Sequence, residues 1–499
     1  MTAAPLGPFA ALWASQAFSN LADGLLHASA PLLVATLTQD PLVVAGLTVA
    51  QFLPWLLVTL PAGALADRVD RRRILVAGNW LRAGGFALLA LSLTAEWSHV
   101  GLLYAAVFLA GCAETMVDNA ALAIPPRLLP RARLERANGR LFATQSVINT
   151  FIGPPAGAAL FALAASAAFY TGAAAFALAG LAALLLPALR PAAEDDQNGA
   201  AAGDDEHGAA AGDDEHGAAA GDDEHGPAAG DDQHGPAAGN DQHGPAAEDD
   251  QHRPAAPTGF VRDIGVGWAH FWRHALLRRV AFLSAAINFF GACTGGLLVL
   301  LVTGPYGLPA SSYGWFVAVP AAGAIVGSLL AARVVPRIGG GATGWLAALT
   351  PAAGYAVLGL SHSTPLALTA MFAAAVASSL NQIVVSTLRQ AAVPDELLGR
   401  VTAAYRLIVL GAVPFGALTG GLLGRALGIR AAFLTAALGL ALAAVPLASR
   451  VTTRALRDAE KAPPAALPAH AGTHPRADQG RISGGSGDHG RRGPRTKHS

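Results

Sequence analysis

The chain has 499 residues, 53% of them hydrophobic and only 13% charged, with a mean hydropathy of +0.43. Soluble domains carry about 25% charged residues, so the composition argues against a soluble fold and fits a polytopic membrane protein. The 33 Lys+Arg balance 33 Asp+Glu, yet the acids crowd into one central segment while arginines flank the apolar stretches, a pattern that gives little support to a nucleic-acid partner.

Six apolar runs of spanning length precede the acidic segment, at residues 9–37, 42–65, 74–93, 100–124, 141–163 and 169–189; about 20 apolar residues cross a bilayer as a helix. The first run has no basic leader and is longer than a signal core, so it reads as a span and not as a cleaved signal peptide. Along it Gln16, Asn20, Asp23 and His27 recur at steps of four, three and four residues, which places them on one helical face. Polar groups inside a bilayer are costly unless they face a bundle interior, a cavity or a partner, so these residues are candidates to line a substrate cavity. The same argument selects Asn79 and Arg82 in the third run, Glu114 and Asp118 in the fourth, and Gln145 and Asn149 in the fifth. Asp23, Glu114 and Asp118 are the proton-coupling candidates, because a carboxyl that alternates between burial and a nearby cation can take up and release a proton near neutral pH. The alternative is a structural pairing with Arg82. In the fifth run, Gly153-Pro154-Pro155-Ala156-Gly157 is either a bending point or a packing face, since proline removes a backbone bond and glycine permits close approach.

After the sixth run, residues 195–257 repeat with a nine-residue period, as in Gly203-Asp204-Asp205-Glu206-His207-Gly208-Ala209-Ala210-Ala211. The unit has no apolar side chain larger than alanine to stack, so it reads as a disordered cytoplasmic linker. Its histidines, among them His207, His216 and His225, could bind zinc or nickel weakly, but tandem duplication of a short coding unit accounts for them and no metal site is assigned. Six more runs follow at 276–303, 312–335, 343–360, 365–385, 401–423 and 431–447. Asn288, Gln382 and Arg389 are their cavity candidates. The tail beyond Val451 is rich in Pro, Gly, Arg and His and reads as disordered. Cys112 and Cys293 both fall in apolar runs and act as small hydrophobes, with no disulfide implied. The resulting division is a first six-helix bundle over 1–190, the linker over 191–260, a second bundle over 261–450 and the tail over 451–499.

Arginine placement in short loops sets orientation. Arg68, Arg71, Arg72 and Arg73 follow the second run, and Arg127, Arg131, Arg133, Arg136 and Arg140 follow the fourth, while the alternate loops are nearly free of cations. Both arginine-rich loops, and hence both termini, are expected in the cytoplasm. The halves also echo each other: Pro130 to Arg136 and Pro394 to Arg400 carry Pro and Arg at the same spacing, each just before a span. Parallel six-helix repeats explain such an echo.

The loop Gly63-Ala64-Leu65-Ala66-Asp67-Arg68-Val69-Asp70-Arg71-Arg72-Arg73 resembles the G-x-x-x-D-R-x-G-R-R signature of the major facilitator superfamily. Gly63, Asp67, Arg68, Arg71 and Arg72 match, and Asp70 stands where glycine is usual. Ser19-Asn20-Leu21-Ala22-Asp23-Gly24, Glu114-Thr115-Met116-Val117-Asp118-Asn119, Leu388-Arg389-Gln390 and Val393 to Arg400 resemble the branch containing enterobactin exporters and macrolide efflux proteins. The resemblance implies an all-α membrane protein of twelve transmembrane helices in two bundles. It also implies that the loop is a cytoplasmic charge latch favouring the outward-open state. The matching place in the second half, Gly327 to Arg333, lacks the acid.

No phosphate loop, zinc-protease helix or nucleophile elbow appears, so neither an enzyme nor an ATP-driven pump is expected, and no cofactor. The expected function is proton-coupled efflux of a small amphipathic molecule, drug or siderophore-like, by a monomer in a bacterial inner membrane. A proton-coupled importer or a lysophospholipid flippase of the same fold is the first alternative. A non-transporting membrane metal sensor is the second.

Overall fold

The computed structural model describes residues 7–66, 69–188, 268–269, 271–393 and 395–449. The linker 191–260 and the tail 451–499 lie outside the described residues, as do Asp67 and Arg68. All the regular structure among the described residues is helical.

In the first half the helices are α1 (Pro8–Leu37), α2 (Pro41–Ala66), α3 (Arg71–Thr94), α4 (Val100–Leu122), the short α5 (Pro125–Leu128), α6 (Arg131–Gln145), a π-helical stretch Ser146–Ile152, α7 (Gly153–Leu163) and α8 (Ala165–Leu184). In the second half they are α9 (Ala275–Gly295), the short α10 (Leu298–Thr303), α11 (Ala310–Ile338), α12 (Gly340–Leu360), α13 (Thr364–Ala392), α14 (Asp395–Leu427) and α15 (Ile429–Ala448). Their starts follow local chemistry. Asp40 Oδ1 accepts from Leu42 N at 3.0 Å and opens α2. Asp70 Oδ1 accepts from Arg72 N at 2.9 Å and caps α3, so the residue that departs from the family signature has a capping job. Gly339 and Gly428, with φ of 81° and 89°, end α11 and α14 and let the next helix begin at once.

Eleven of these helices are long and apolar enough to cross a membrane, α6 and α7 counting as one. The expected twelfth is α1, which at 30 residues is about 45 Å long. Its apolarity is diluted by Gln16, Asn20, Asp23 and His27. Leu57, Leu88, Leu109, Leu122, Leu163, Leu329, Leu438 and Leu442 are exposed on the outside of the bundle, a surface that suits lipid.

The expected spans differ most from the structure in the fifth and the seventh. The fifth begins at Arg131 and not at 141, because the polar stretch of α6 continues the same helical run. The seventh, expected over 276–303, breaks after Gly295, where consecutive glycines are poor helix formers.

In the first half α3 packs on α8, with Phe86 stacked on Phe169 and Phe176, and α1 lies against α7 and α8. In the second, α9 pairs with α14, α11 with α13, and α12 with α13 and α15. The halves meet through α2 on α14 and α7 on α11. A side chain at Gly421 would run into Leu42 and Ala45, one at Gly424 would touch Pro41, and one at Gly314 would overlap Pro154 and Pro155. Arg425 Nε pairs with Asp40 Oδ2 at 3.7 Å across the same seam. This seam lies at the opposite end of α2 from the arginine-rich loop.

Candidate functional site

The polar residues singled out by spacing fall into a small number of places. Asp23 on α1, Arg82 on α3 and Glu114 on α4 converge. Arg82 donates to Asp23 Oδ1 through Nη2 and to Ser19 Oγ through Nη1 at 3.0 Å, and Glu114 Oε2 stands 3.9 Å from Nη2. The guanidinium also lies 4.0 Å from the centre of the Phe176 ring, a favourable cation–π placement. The Arg82 side chain is 1% exposed, Asp23 13% and Glu114 31%. One cation is therefore held firmly by one acid, while the second acid stands at arm's length with more room to move. Asp118, one turn along α4, acts electrostatically on Asp23 and feels Glu114.

This triad opens on a cavity of about 220 Å³. Asp23, His27, Arg82 and Glu114 supply its polar wall. Phe52 and Trp55 of α2 and Phe86 of α3 supply its aromatic wall, with Gln51 beside them. Gln51, Phe52, Trp55, Ser19 and Phe176 were not visible as site residues in sequence. Phe and Trp are ordinary in an apolar span. Gln51 was the available signal, being the single amide side chain in α2.

The other candidates lie elsewhere. Asn20 bonds Gln16 O at 2.7 Å through Nδ2 and accepts from Asn149 Nδ2 at 3.3 Å, which ties α1 to the π-helical stretch. Gln145 and Gln382 are exposed, and Asn288 Nδ2 donates to Ser284 O at 2.9 Å. Arg389 sits over the ring of Tyr405 at 4.1 Å. Asn79 is fully buried and bonds Leu75 O.

Gly153-Pro154-Pro155-Ala156-Gly157 lies where the π-helical stretch gives way to α7. Pro154 and Pro155 stand at the start of α7, directly after the π-helical stretch; each lacks the N–H that would continue an α-helical ladder. Gly153 meets Gly24, and Gly157 meets the backbone of Leu25, so closely that a side chain at either position would collide with α1.

Of the loop signature, Gly63 ends up near the close of α2, and two arginines have definite partners. Arg71 Nη1 donates to Ala123 O at 3.3 Å, and Arg72 Nη2 to Leu184 O at 2.6 Å. Both acceptors lie just past or at a helix C-terminus, where carbonyls lack an intrahelical partner and the helix dipole favours a cation. Among the described residues no group of His, Cys, Asp and Glu could hold a metal ion.

A helical bundle suited to a membrane, with one buried cation between two acids at an internal cavity, is the arrangement of a transporter. The chain belongs to the major facilitator superfamily, whose family model matches residues 12–413 and again 307–483. An uncharacterized MFS-type transporter of Mycobacterium tuberculosis is 33% identical over 138 residues, 27% of this chain and 31% of that protein. Macrolide efflux protein A of Streptococcus pyogenes is 25% identical over 152 residues, 30% of this chain and 37% of that protein. The matches thus span about a third of the length of these curated relatives. Among solved structures, a bacterial homolog of the human lysosomal transporter Spinster superposes with a TM-score of 0.63 at 15% identity, covering 91% of this chain and 98% of the other. A bacterial homologue of the iron transporter ferroportin gives 0.60 at 14% identity, covering 89% and 98%. At these identities the likeness is one of fold.

Proposed function

We propose that this transporter exports a small amphipathic molecule in exchange for protons, with Asp23 and Glu114 as the coupling acids and Arg82 as their shared counter-charge. The observation that carries the reading is the unequal triad: Asp23 engaged with Arg82, Glu114 3.9 Å away and partly exposed to the cavity. Protonating one acid leaves Arg82 to the other, so proton uptake changes which helix, α1 or α4, is tied to α3. That is a two-position switch of the kind alternating access needs. The aromatic and amide wall formed by Gln51, Phe52, Trp55 and Phe86 suits an amphipathic guest. Efflux, rather than import, rests on the sequence resemblance together with the partial match to macrolide efflux protein A.

In this reading α1 is the twelfth span, and residues 1–190 and 261–450 are the two bundles that rock against each other. The arginine-rich loops support a cytoplasmic side for both termini in a bacterial inner membrane, and the monomer is the working unit of this reading. Asp67, Arg68, Arg71 and Arg72 form the cytoplasmic latch.

The test is an export screen in an efflux-deficient bacterium across siderophores, macrolides and dyes, with Asp23→Asn and Glu114→Gln as controls. At least one compound should accumulate less in cells carrying the wild type, and an uncoupler that collapses the proton gradient should abolish the difference. Export that persists in both variants and in the presence of uncoupler would place the coupling elsewhere.

A further inference from the structure

The second half contains a group of buried polar side chains that proton coupling does not use. Arg389 of α13 lays its guanidinium 4.1 Å above the ring of Tyr405 on α14, and Tyr405 lies beside Ser284 of α9. Tyr405 and Ser284 are each 4% exposed. Arg389 Nε is buried without a hydrogen-bond partner, and the buried hydroxyls of Tyr405 and Ser284 have none beyond each other. Buried polar groups nearly always satisfy their hydrogen-bonding capacity, and each exception needs an explanation; here groups from three helices are left with donors to spare.

The protein's own groups do not complete the set. Two hydroxyls can bond to each other through only one of their two protons, so one O–H and the Arg389 Nε–H remain to be satisfied. Ser29 and Thr294 turn their hydroxyls onto carbonyls of their own helices, whereas Ser284 does not. The contrast with Arg82 is in charge. Arg82 faces two carboxylates, whereas Arg389 has no acidic partner among the described residues. The ionised group that joins Tyr405 in acting on Arg389 is Arg406, another cation. Spare donors lie beside a positive centre that has no acidic partner among the described residues, and what such a centre recognises is an oxyanion.

We infer that Arg389, Tyr405 and Ser284 form an oxyanion site in the second half, taking a carboxylate or phosphate group. That group has two sources. One is an acidic moiety on a transported molecule. The other is the phosphate of an anionic lipid, because Arg389 stands three residues from the end of α13, near headgroup depth, where basic pockets between helices bind such lipids. The site is independent of the coupling triad, so it can stand or fall without it.

The experiment uses the full-length protein in a mild detergent and follows its melting temperature. The soluble arm adds inorganic phosphate or benzoate. The lipid arm adds phosphatidylglycerol, with phosphatidylcholine as the neutral-headgroup control. At least one anionic probe should raise the melting temperature of the wild type. Arg389→Gln should abolish that response, and Tyr405→Phe, which keeps the ring under the guanidinium, should weaken apparent affinity about tenfold, as loss of one hydrogen bond to a charged group does. A response to phosphatidylglycerol alone assigns the site to lipid, and a response to the soluble anions assigns it to a solute. No response from the wild type to any anionic probe, or a response undiminished in Tyr405→Phe, overturns the inference, including in the case where Arg389→Gln fails to fold.

Discussion

The Asp23–Arg82 pair can be tested by a double-mutant cycle on stability. Asp23→Asn removes the carboxylate bonded to Arg82 but leaves Ser19 at 3.0 Å, Glu114 at 3.9 Å and the Phe176 ring. Breaking a buried pair by removing one partner costs about 3 to 5 kcal/mol when the survivor is left uncompensated. Here the survivor keeps a second acid, so about 2 kcal/mol is expected. Arg82→Met leaves Asp23 and Glu114 facing each other with no cation, and one of them relieves the repulsion by taking a proton, which holds the cost near 3 kcal/mol. The double variant leaves Glu114 as the remaining acid at this point, 31% exposed and free to take a proton, and should cost about 2 kcal/mol, mostly lost packing against Phe176. The two single effects should then exceed the double by about 3 kcal/mol, the upper end of what contacting residues show. Unfolding by titration with sodium dodecyl sulfate, followed by tryptophan fluorescence in mild detergent, measures all four corners. Additivity within about 0.5 kcal/mol would mean that Arg82 and Asp23 are neighbours without being partners, and the switch built on them would lose its basis.

Two further outcomes follow from packing and chain length. Gly157→Ala pushes a methyl group into the backbone of Leu25, whereas Gly84 has open space around it; the same substitution should cost about 1 to 3 kcal/mol at 157 by overpacking and add about 0.5 to 1 kcal/mol at 84 through better helix propensity, both read from the same detergent titration, and equal signs would refute the tight α1–α7 crossing. Deleting residues 204–244 should leave export within about twofold of wild type, because closure entropy varies only with the logarithm of loop length; a larger loss, or a zinc-dependent change in export that the deletion removes, would make the linker regulatory.

Much of the candidate site could be read from spacing alone, because ionisable residues are rare in apolar helices. Asp23, His27, Arg82 and Glu114 each stood out one at a time, and the structure adds that they share one cavity. The α2 wall was hidden for the opposite reason: Phe52 and Trp55 are the kind of residue a span contains in any case. Tyr405 and Ser284 were hidden because their significance is relational; nothing marks them until Arg389 is seen lying over Tyr405 and Tyr405 against Ser284. Pro154 and Pro155 announced a disturbed helix but not its form, since proline removes a backbone bond without saying how the neighbouring carbonyls will rearrange. The break after Gly295 had a signal in the paired glycines, which an apolar run of spanning length concealed.

The π-helical stretch Ser146–Ile152 has a bearing on how the fifth span is assembled. Such a stretch amounts to one residue more than an α-helix of the same rise would hold, and one residue is about 100° of rotation. The arginine-bearing α6 and the glycine-bearing α7 are therefore out of phase along what is otherwise one rod. If the extra residue were removed, the azimuth of Gly153 and Gly157 relative to Arg131–Arg140 would turn by that angle, and α7 would present bulkier residues to Gly24 and Leu25. The length of this segment, counted in single residues, thus fixes which stripe of the fifth span can touch the first. A one-residue deletion here should be far more damaging than the removal of forty from the linker.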